Sequence, residues 1–364
     1  MSFTEKKKEE IKKYIMRKII LDDKEFIVKT MDNFGISITS AKRYLQELIS
    51  SNAIEISDQD ECGYHMAEQV YVEEIPLTEC RQGEDRIFAA YIEPHLTNCN
   101  DKAYRIWQYA SEEMINNAIE HSNGSRICIE VKTNVLSCSV MILDDGIGTF
   151  TTLLNYMKSH GWEEPLIEDA LIELYKGKIT SKEANHSGEG IFFSSKMMDD
   201  FCLWSDSHIY KAGYGKSTQT IQSHLLAYKA RIDRMGTLVC MTLENETERN
   251  IVEVFDMYTD VDEGFIKTQI PVKEACISGE PVARSQARRI CNRLDMFQEA
   301  ILDFTDVVFM GQGFADELFR VYAAAHPQIK LYPINMLPEV SRMIRHVGRG
   351  NLPENVCLSM VGYE

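Results

Sequence analysis

The chain has 364 residues, too many for one domain of typical size, and its 44% hydrophobic and 26% charged residues are those of an ordinary globular protein. The formal net charge of −17 at pH 7 argues against a protein that coats nucleic acid, although basic side chains outnumber acidic ones in the first 50 residues. The sequence shows no secretory signal, no apolar run of the roughly 20 residues that span a membrane, and no C-x-x-C pair among its cysteines. We therefore expect a cytoplasmic protein of two or three domains with reduced thiols.

Residues 1–75 have the pattern of a small helical module. Apolar side chains recur at helical spacing in three segments, and two short strand candidates follow them. The predicted helices cover residues 9–21, 26–31 and 41–51, and the predicted strands cover residues 52–56 and 64–67. A turn is expected at residues 34–37, and either Thr39 or Ser40 is the candidate N-cap of the third helix.

That order of elements resembles a winged helix-turn-helix, whose third helix enters the major groove of DNA. Lys42 and Arg43 fall on the polar face of this helix, so the resemblance implies contacts with duplex DNA at these two side chains. Alternatively, the module serves protein contacts or dimerisation, and the two charges are merely solvated. Residues 76–100 then form a linker and one short helix, which Pro94 and the stretch 98–100 interrupt.

Three polar residues mark one face of the long helix that follows. Glu113, Asn117 and His121 are spaced four residues apart, so they project from the same side of that helix. Apolar residues such as Ile115 and Ala118 supply the opposite side. A carboxylate, a carboxamide and an imidazole in this arrangement form a plausible site, although a single E-x-x-x-N pattern is more often a solvated helix edge.

A loop with two carboxylates lies one β-hairpin further along the chain. Residues 126–131 and 138–143 alternate as strands, and the second strand runs directly into Asp144-Asp145-Gly146-Ile147-Gly148. A D-x-G-x-G pattern on its own usually marks a turn. Its position, one hairpin after the polar helix face, makes the combination much more specific for a binding site.

A second glycine-rich stretch, Ser187-Gly188-Glu189-Gly190-Ile191, opens another helix, and Gly236-Thr237 opens a later strand. Backbone N–H groups at a helix start suit phosphate oxygens, because they are unpaired donors at the positive end of the helix dipole. His186 precedes this stretch and adds a basic side chain. Between the two glycine-rich stretches, residues 150–159 and 166–175 have helical patterns.

These four motifs resemble, in the same order, the N box, the two glycine boxes and the late threonine strand of the GHKL superfamily of ATP-binding domains (gyrase, Hsp90, histidine kinase and MutL). The resemblance covers residues 86–246, and the wording N-A-I-x-H is closest to anti-sigma-factor serine kinases. It implies a Bergerat-type α/β sandwich over residues 76–250 that binds ATP with Mg²⁺. The stretch between Gly148 and Gly188 corresponds to the lid that closes over the phosphates in that superfamily.

The resemblance also implies a role for each motif residue. Asn117 would hold Mg²⁺, and Glu113 would be the catalytic carboxylate that polarises the attacking water or hydroxyl. Asp144 would accept a hydrogen bond from the adenine amino group and so give base selectivity. The other implied nucleotide contacts are His121, Gly146, Gly148, His186, Gly188, Gly190, Ile191 and Thr237.

A later glycine-rich segment imitates a P-loop but lacks one of its glycines. The pattern G-x-x-x-x-G-K-S/T requires glycine where the chain has Tyr210, ahead of Gly215-Lys216-Ser217. The flanking residues 204–210 and 218–225 instead predict a hairpin that turns at residues 213–215. We therefore reject this segment as a phosphate site.

Residues 255–364 alternate strands with helices, which predicts a small α/β domain. The predicted strands cover residues 264–272, 300–304 and 329–333, and the predicted helices cover residues 283–296, 314–325 and 338–347. The run from Ile301 to Leu318 resembles STAS-type domains, the fold of anti-sigma-factor antagonists. Those antagonists carry a phosphorylatable serine at a helix start, whereas Met310-Gly311-Gln312-Gly313 has no hydroxyl. The resemblance therefore implies a STAS-like fold without a phosphoacceptor at this place.

The combined expectation is an α/β protein with a winged-helix-like unit before a central ATP-binding sandwich and a STAS-like domain after it. A sensor histidine kinase is disfavoured, because no histidine precedes the N box on a dimerisation helix. Three functions stay open: an ATP-dependent switch acting on flanking DNA- or protein-binding units, a serine/threonine protein kinase acting on another chain, and a non-catalytic nucleotide-binding interaction protein. A homodimer is expected, with another protein or its own STAS-like domain as partner.

Overall fold

The structure is a computed structural model that describes residues 3–80, 83–179, 188–206, 208–213, 236–276, 279–348 and 351–358. Within these residues the chain has a helical N-terminal unit, a central six-stranded sheet and a parallel three-stranded sheet near the C-terminus. The predicted α/β fold class is therefore confirmed. None of the described helices is both long enough and apolar enough to cross a membrane.

Three helices and one hairpin build the N-terminal unit. They are α1 (Glu5–Ile20), α2 (Phe26–Phe34), α3 (Ile38–Ser50), β1 (Ile54–Ile56) and β2 (Tyr64–Met66). Gly35 ends α2 in the left-handed conformation (φ 61°), and the Ser37 hydroxyl caps α3 by accepting the Ser40 N–H at 3.2 Å. The N-cap is therefore Ser37 and not Thr39 or Ser40, because the backbone is still extended at Ser37 and already helical from Ile38.

The N-terminal unit has a hydrophobic core of its own, in which Ile15 and Tyr44 are buried. Leu136, from the turn of the central β-hairpin, packs into the same core. Arg17 adds a two-pronged contact with the Glu244 carboxylate, at 2.7 and 2.6 Å. The unit is thereby fixed to one end of the central sheet.

The central sheet is antiparallel throughout, in the order β3-β4-β5-β8-β6-β7. Its strands are β3 (Gln69–Pro76), β4 (Arg126–Thr133), β5 (Ser137–Asp144), β6 (Asp200–Ser205), β7 (His208–Gly213) and β8 (Thr237–Glu244). The strands predicted at residues 126–131 and 138–143 are confirmed as β4 and β5. The sequence pattern does not predict β3, since most of its side chains are exposed and the alternation of a half-buried strand is missing. The segment 1–75 thus includes most of a strand that pairs with the central sheet.

Five helices accompany this sheet. They are α4 (Glu84–Tyr91), α5 (Asp101–His121), α6 (Thr149–Ser159), α7 (Ile167–Lys176) and α8 (Gly190–Met197), with a 3-10 turn at Glu93–His95. The Asn100 carboxamide caps α5 by accepting the Ala103 N–H at 2.8 Å, and Trp107 is fully buried on its apolar side. α5 is the long helix that the polar pattern predicts, and α6 and α7 match the helices predicted at residues 150–159 and 166–175.

The hairpin formed by β6 and β7 differs from the predicted one. A strand is expected over residues 204–210, whereas the chain already turns at Asp206. Asp206 has a left-handed backbone (φ 51°), which a short polar side chain tolerates, and its carboxylate accepts the Thr151 N–H at 3.0 Å in the first turn of α6. The predicted strand 218–225 and the P-loop-like Gly215-Lys216-Ser217 lie outside the described residues.

The C-terminal part contains a parallel sheet in the order β11-β12-β13. Its strands and hairpin are β9 (Thr259–Asp260), β10 (Gly264–Phe265), β11 (Lys267–Pro271), β12 (Glu299–Asp303) and β13 (Lys330–Ile334). Its helices are α9 (Ile251–Tyr258), α10 (Val272–Ala275), α11 (Arg284–Cys291), α12 (Gln312–Asp316), α13 (Ala323–Ala325) and α14 (Pro338–Val347). The π-helical residues Glu317–Tyr322 join α12 to α13, so the predicted helix 314–325 is present but not purely α-helical.

Two predicted elements of this region are each split in two. The strand expected at residues 264–272 divides between β10, which pairs with β9, and β11, which joins the parallel sheet. The helix expected at residues 283–296 ends at Cys291, because Arg293 takes a left-handed conformation (φ 53°). A 3-10 turn at Leu294–Met296 follows.

One hydrophobic core runs from the central sheet into the C-terminal part. It includes an aromatic cluster, defined here as Phe192 and Phe193 of α8, Tyr258 of α9 and Phe265 of β10. The ring centroids of Phe192 and Phe193 lie 4.8 and 5.2 Å from that of Phe265. The second glycine-rich stretch therefore opens a helix whose next residues pack directly against the C-terminal part.

Candidate functional site

A cavity of about 340 Å³ opens between α5, α6, α7 and α8 on one side and β5, β6 and β8 on the other. This volume is in the range of small-molecule sites. Nine of the predicted site residues line the cavity: Glu113, Asn117, His121, Asp144, Gly148, Gly188, Gly190, Ile191 and Thr237. The structure thus brings together residues from four separate stretches of the chain.

α5 presents its polar face to this cavity. Glu113, Asn117 and His121 all contribute to the wall, as their four-residue spacing requires. Gly190 begins α8 so close to α5 that a Cβ at this position would overlap the Glu113 carboxylate. A larger residue here would displace the Glu113 carboxylate, whereas glycine leaves it in place. The contact places a carboxylate beside the backbone N–H groups at the start of α8.

Asp144, the last residue of β5, is a buried carboxylate in the cavity wall, with 5% of its surface exposed. Its Oδ1 accepts the Gly146 N–H at 2.8 Å, and a Cβ at Gly236 would overlap the same oxygen. Burial raises the pKa of Asp144 to about 6, while hydrogen bonds from Gly146 and Thr237 act in the opposite direction. The carboxylate is therefore ionised at neutral pH and becomes protonated in mild acid.

Backbone contacts hold the acidic loop against the end of α5. The Ile147 N–H donates to the Ser122 carbonyl at 2.9 Å, and the Asp145 carboxylate accepts the Ser125 N–H at 2.6 Å. Asp145 therefore stabilises the loop and is absent from the cavity wall. The Gly146 N–H donates to the Asp144 carboxylate, but Gly146 itself does not line the cavity.

A pair of threonines closes the wall next to Asp144. The hydroxyls of Thr149 and Thr237 hydrogen-bond at 2.9 Å, and the Thr149 N–H also donates to the Thr237 hydroxyl at 3.0 Å. Gly148 (φ 91°) immediately precedes α6 at this point. The contact therefore ties the start of α6 to the first residue of β8.

Sequence reasoning misses several polar residues of the wall, among them Tyr109, Thr149, Thr152 and Glu189. Tyr109 lies one helical turn before Glu113, and its pKa is raised by burial and by the carboxylates of Glu113 and Glu189. The four-residue spacing extends back to Tyr109 and could have revealed it. Nothing in the glycine-rich stretch indicates which way the Glu189 side chain points.

The cavity wall is acidic on one part and apolar on another. The described lining residues include the carboxylates of Glu113, Asp144 and Glu189 and contain neither lysine nor arginine. Side chains such as Leu203 and Val239 supply apolar surface from the sheet. The arrangement suits a ligand with a flat apolar ring, and an anionic group on that ligand requires a cation beside it.

Besides Gly146, the predicted site residues Lys42 and Arg43 do not line the cavity. His186 lies outside the described residues. Lys42 and Arg43 are exposed on α3 of the N-terminal unit. Arg43 lies over the Tyr44 ring at 5.0 Å and 3.7 Å from Glu47, so its charge already has local contacts.

Residues 286–341 match the family model described as a STAS-like domain of unknown function (DUF4325). The match includes most of α11, the strands β12 and β13 and the helix pair α12 and α13 between them. It confirms the STAS-like prediction for this part of the chain. No curated protein matches the chain.

Proposed function

We propose that the chain is an ATP-binding regulatory protein of the GHKL type, which couples the occupancy of its cavity to the flanking units. This proposal rests on the observation that separate sequence motifs meet at one cavity. Nine residues of four motifs line one cavity, although the motifs are separated by hairpins and helices in the sequence. Unrelated turns and helix edges have no reason to meet at one place, whereas parts of a nucleotide site must.

The wall around Asp144 suits an adenine ring. An ionised carboxylate accepts a hydrogen bond from the exocyclic amino group of adenine, whereas guanine carries a carbonyl at that position. Leu203 and Val239 offer apolar surface to the ring, and the Thr237 hydroxyl lies on the same part of the wall. A buried carboxylate in such surroundings supports adenine selectivity.

The polar face of α5 and the start of α8 suit a polyphosphate with its metal ion. The N–H groups of Gly190 and Ile191 lie in the first turn of α8, where unpaired donors favour phosphate oxygens. Asn117 would supply the protein oxygen that Mg²⁺ takes besides phosphates and waters. Bound Mg²⁺ would supply positive charge against the carboxylates of the wall, which otherwise repel a polyphosphate.

Glu113 supports catalysis, because a carboxylate beside the phosphate end can take a proton from an attacking hydroxyl or water. Transfer to a serine or threonine of another chain is therefore the second candidate function. The STAS-like part of this chain offers no hydroxyl acceptor at residues 310–313, the place where the resemblance would put one. A third candidate, binding without turnover, keeps the same cavity and leaves Glu113 without a chemical task.

α7 supports the coupling, because it contacts the cavity and the C-terminal part at once. Leu174 lines the cavity, whereas Asp169 and Glu173 pair with Arg289 and Arg293 at 3.6 and 3.4 Å. A ligand that favours one position of α7 therefore also favours one arrangement of these ion pairs. The α6–α7 segment corresponds to the lid expected from the sequence.

Replacing Asp144 tests the nucleotide site. Asp144→Asn places a donor opposite the adenine amino group, and an unpaired buried polar group costs about 1–3 kcal/mol, or roughly tenfold to a hundredfold in affinity. Calorimetric titration with a non-hydrolysable ATP analogue and Mg²⁺ measures the loss. Asp145→Asn is the matched control, since this carboxylate stabilises the loop without lining the cavity. Equal affinity of the wild-type protein and Asp144→Asn contradicts the site.

Incubation with γ-labelled ATP and Mg²⁺ separates the candidate functions. Released phosphate indicates hydrolysis, label on an added protein indicates kinase activity, and binding without either indicates a structural ligand. Glu113→Ala should retain analogue binding and lower turnover about 10²–10⁴-fold, the usual loss of a general base. Unchanged turnover in this variant shows that Glu113 is only a carboxylate on the helix face.

A further inference from the structure

Lys178 lies between the cavity and the C-terminal part. Its ammonium donates to the Met296 carbonyl at 2.8 Å and lies 4.5 Å from the ring centroid of Phe297 and 5.4 Å from that of Phe265. The contact partners all belong to the C-terminal part, on either side of β11. A half-buried lysine therefore binds this part through a carbonyl and two aromatic faces, which attract a cation more weakly than a carboxylate does.

The backbone next to Lys178 is part of the phosphate end of the cavity. Ile179 lines the cavity, and Gly188 packs on its backbone so tightly that a Cβ at Gly188 would lie 2.6 Å from the Ile179 carbonyl oxygen. Glu189 follows Gly188 and interacts electrostatically with Lys178; burial lowers the pKa of the lysine and Glu189 acts against this. Lys178 thus precedes the residue against whose backbone Gly188 packs, while its ammonium points to the C-terminal part.

The negative charge of the cavity wall makes a nearby cation such as Lys178 important for binding an anionic ligand. The described residues of the wall carry three carboxylates and no lysine or arginine. A triphosphate on the Gly188–Gly190 stretch would therefore attract Lys178, whose backbone is one residue from the Ile179 backbone that Gly188 contacts. An ammonium binds a phosphate more strongly than it binds a neutral carbonyl, because the phosphate carries the opposite charge.

We propose that Lys178 is a shared cation, bound to the Met296 carbonyl when the cavity is empty and drawn to the phosphate chain when a nucleoside triphosphate occupies it. The proposal rests on the function proposed above and names the residue through which phosphate is sensed. Release of Met296 weakens the attachment of the C-terminal part at this point. By reciprocity, firm attachment of the C-terminal part lowers the affinity for triphosphate by the same factor.

Affinity for two ligands tests the phosphate contact. Lys178→Met keeps the length and apolar stem of the side chain and removes its charge. It should weaken binding of the Mg²⁺ complex of a non-hydrolysable ATP analogue about tenfold, the loss of one charge-assisted hydrogen bond, and leave adenosine binding unchanged. Lys178→Arg should restore the affinity. Lys158→Met, an exposed lysine of α6, is the matched control and should bind both ligands like the wild-type protein.

Hydrogen exchange tests the release of the C-terminal part. The Gln298 N–H donates to the Ile266 carbonyl at 2.8 Å and the Phe297 N–H to Leu294 at 3.1 Å, so both amides are protected beside the Lys178 contact. The ATP analogue, but not adenosine, should speed their exchange in the wild-type protein. In Lys178→Met, exchange should already be fast and should not respond to the analogue.

The outcomes separate this proposal from the one on which it rests. A wild-type protein that binds neither adenosine nor the analogue contradicts the nucleotide function itself. Wild-type binding together with unchanged analogue affinity in Lys178→Met, or with an exchange response that survives the substitution, contradicts the role of Lys178 alone. Equal weakening of adenosine and analogue in Lys178→Met also overturns it, because the loss then comes from a general disturbance of the cavity.

Discussion

Burial raises the pKa of Asp144 to about 6, so the proposed binding of an adenine ring should depend on pH. The pKa of about 6 means that the free protein carries an ionised carboxylate at pH 7.5 and a mostly protonated one at pH 5. The protonated group presents an O–H donor towards the adenine amino group, which is also a donor. We expect the affinity for adenosine to fall steadily from pH 7.5 to pH 5, as measured by titration at fixed ionic strength.

Adenosine is the suitable ligand for this measurement, because it has no phosphate that titrates in the same range. Asp144→Asn should bind weakly at every pH, and a slope that persists in this variant assigns the titration to another group. The effect on stability has the opposite sign. The folded pKa lies above the ordinary value of 3.8, so the stabilising contribution of Asp144 is fully present below pH 3.8 and is lost as pH rises through 6. Weaker binding in mild acid would therefore not arise from unfolding at this residue.

The residues that spacing alone could assign to the site are those on one face of α5, and the others were assigned through the motif resemblance. The four-residue spacing of Glu113, Asn117 and His121 fixes their common direction once the helix forms. The direction of a side chain in a loop or at a helix start has no such rule, which is why Glu189 could not be assigned to the wall. Lys178 was hidden for a related reason, since its neighbours Met296 and Phe297 are more than a hundred residues away in the chain.

Among the elements, those with one buried face were predictable and those without one were not. Every second residue in the middle of β4 and β5 is apolar and packs in the helical core, and the bounds of both strands are close to the predicted ones. β3 exposes most of its side chains and is specified by its hydrogen bonds to β4, which leave no mark in the sequence. The turn at Asp206 depends on a carboxylate that binds α6, a contact between distant segments. Local patterns cannot report such contacts.

At the scale of the whole molecule, the N-terminal unit is the candidate for an external contact with duplex DNA. Lys42 and Arg43 are exposed on α3, whereas the turn between β1 and β2 carries the exposed acidic residues Asp58 and Glu61. These acidic residues and the net charge of −17 both repel a phosphate backbone. We therefore expect binding that is weak and that falls steeply with salt, because phosphate contacts release counterions.

Retardation of a duplex on a gel at low salt, with and without ATP, measures this interaction. Replacing both Lys42 and Arg43 with alanine should weaken binding to every duplex and reduce the slope of log affinity against log salt by roughly two. Lys24→Ala is the control, since this lysine is exposed in the same unit but lies outside α3. No retardation by the wild-type protein at low salt leaves a protein-docking module as the better interpretation.

The aromatic cluster determines whether the central and C-terminal parts of the chain can be separated or exchanged. Phe192 and Phe193 of α8 share one hydrophobic core with Phe265 of the C-terminal part. Separating the two parts would therefore expose apolar side chains on both. The central and C-terminal parts should unfold in one cooperative transition. Replacing either part with a different domain would require redesign of the other.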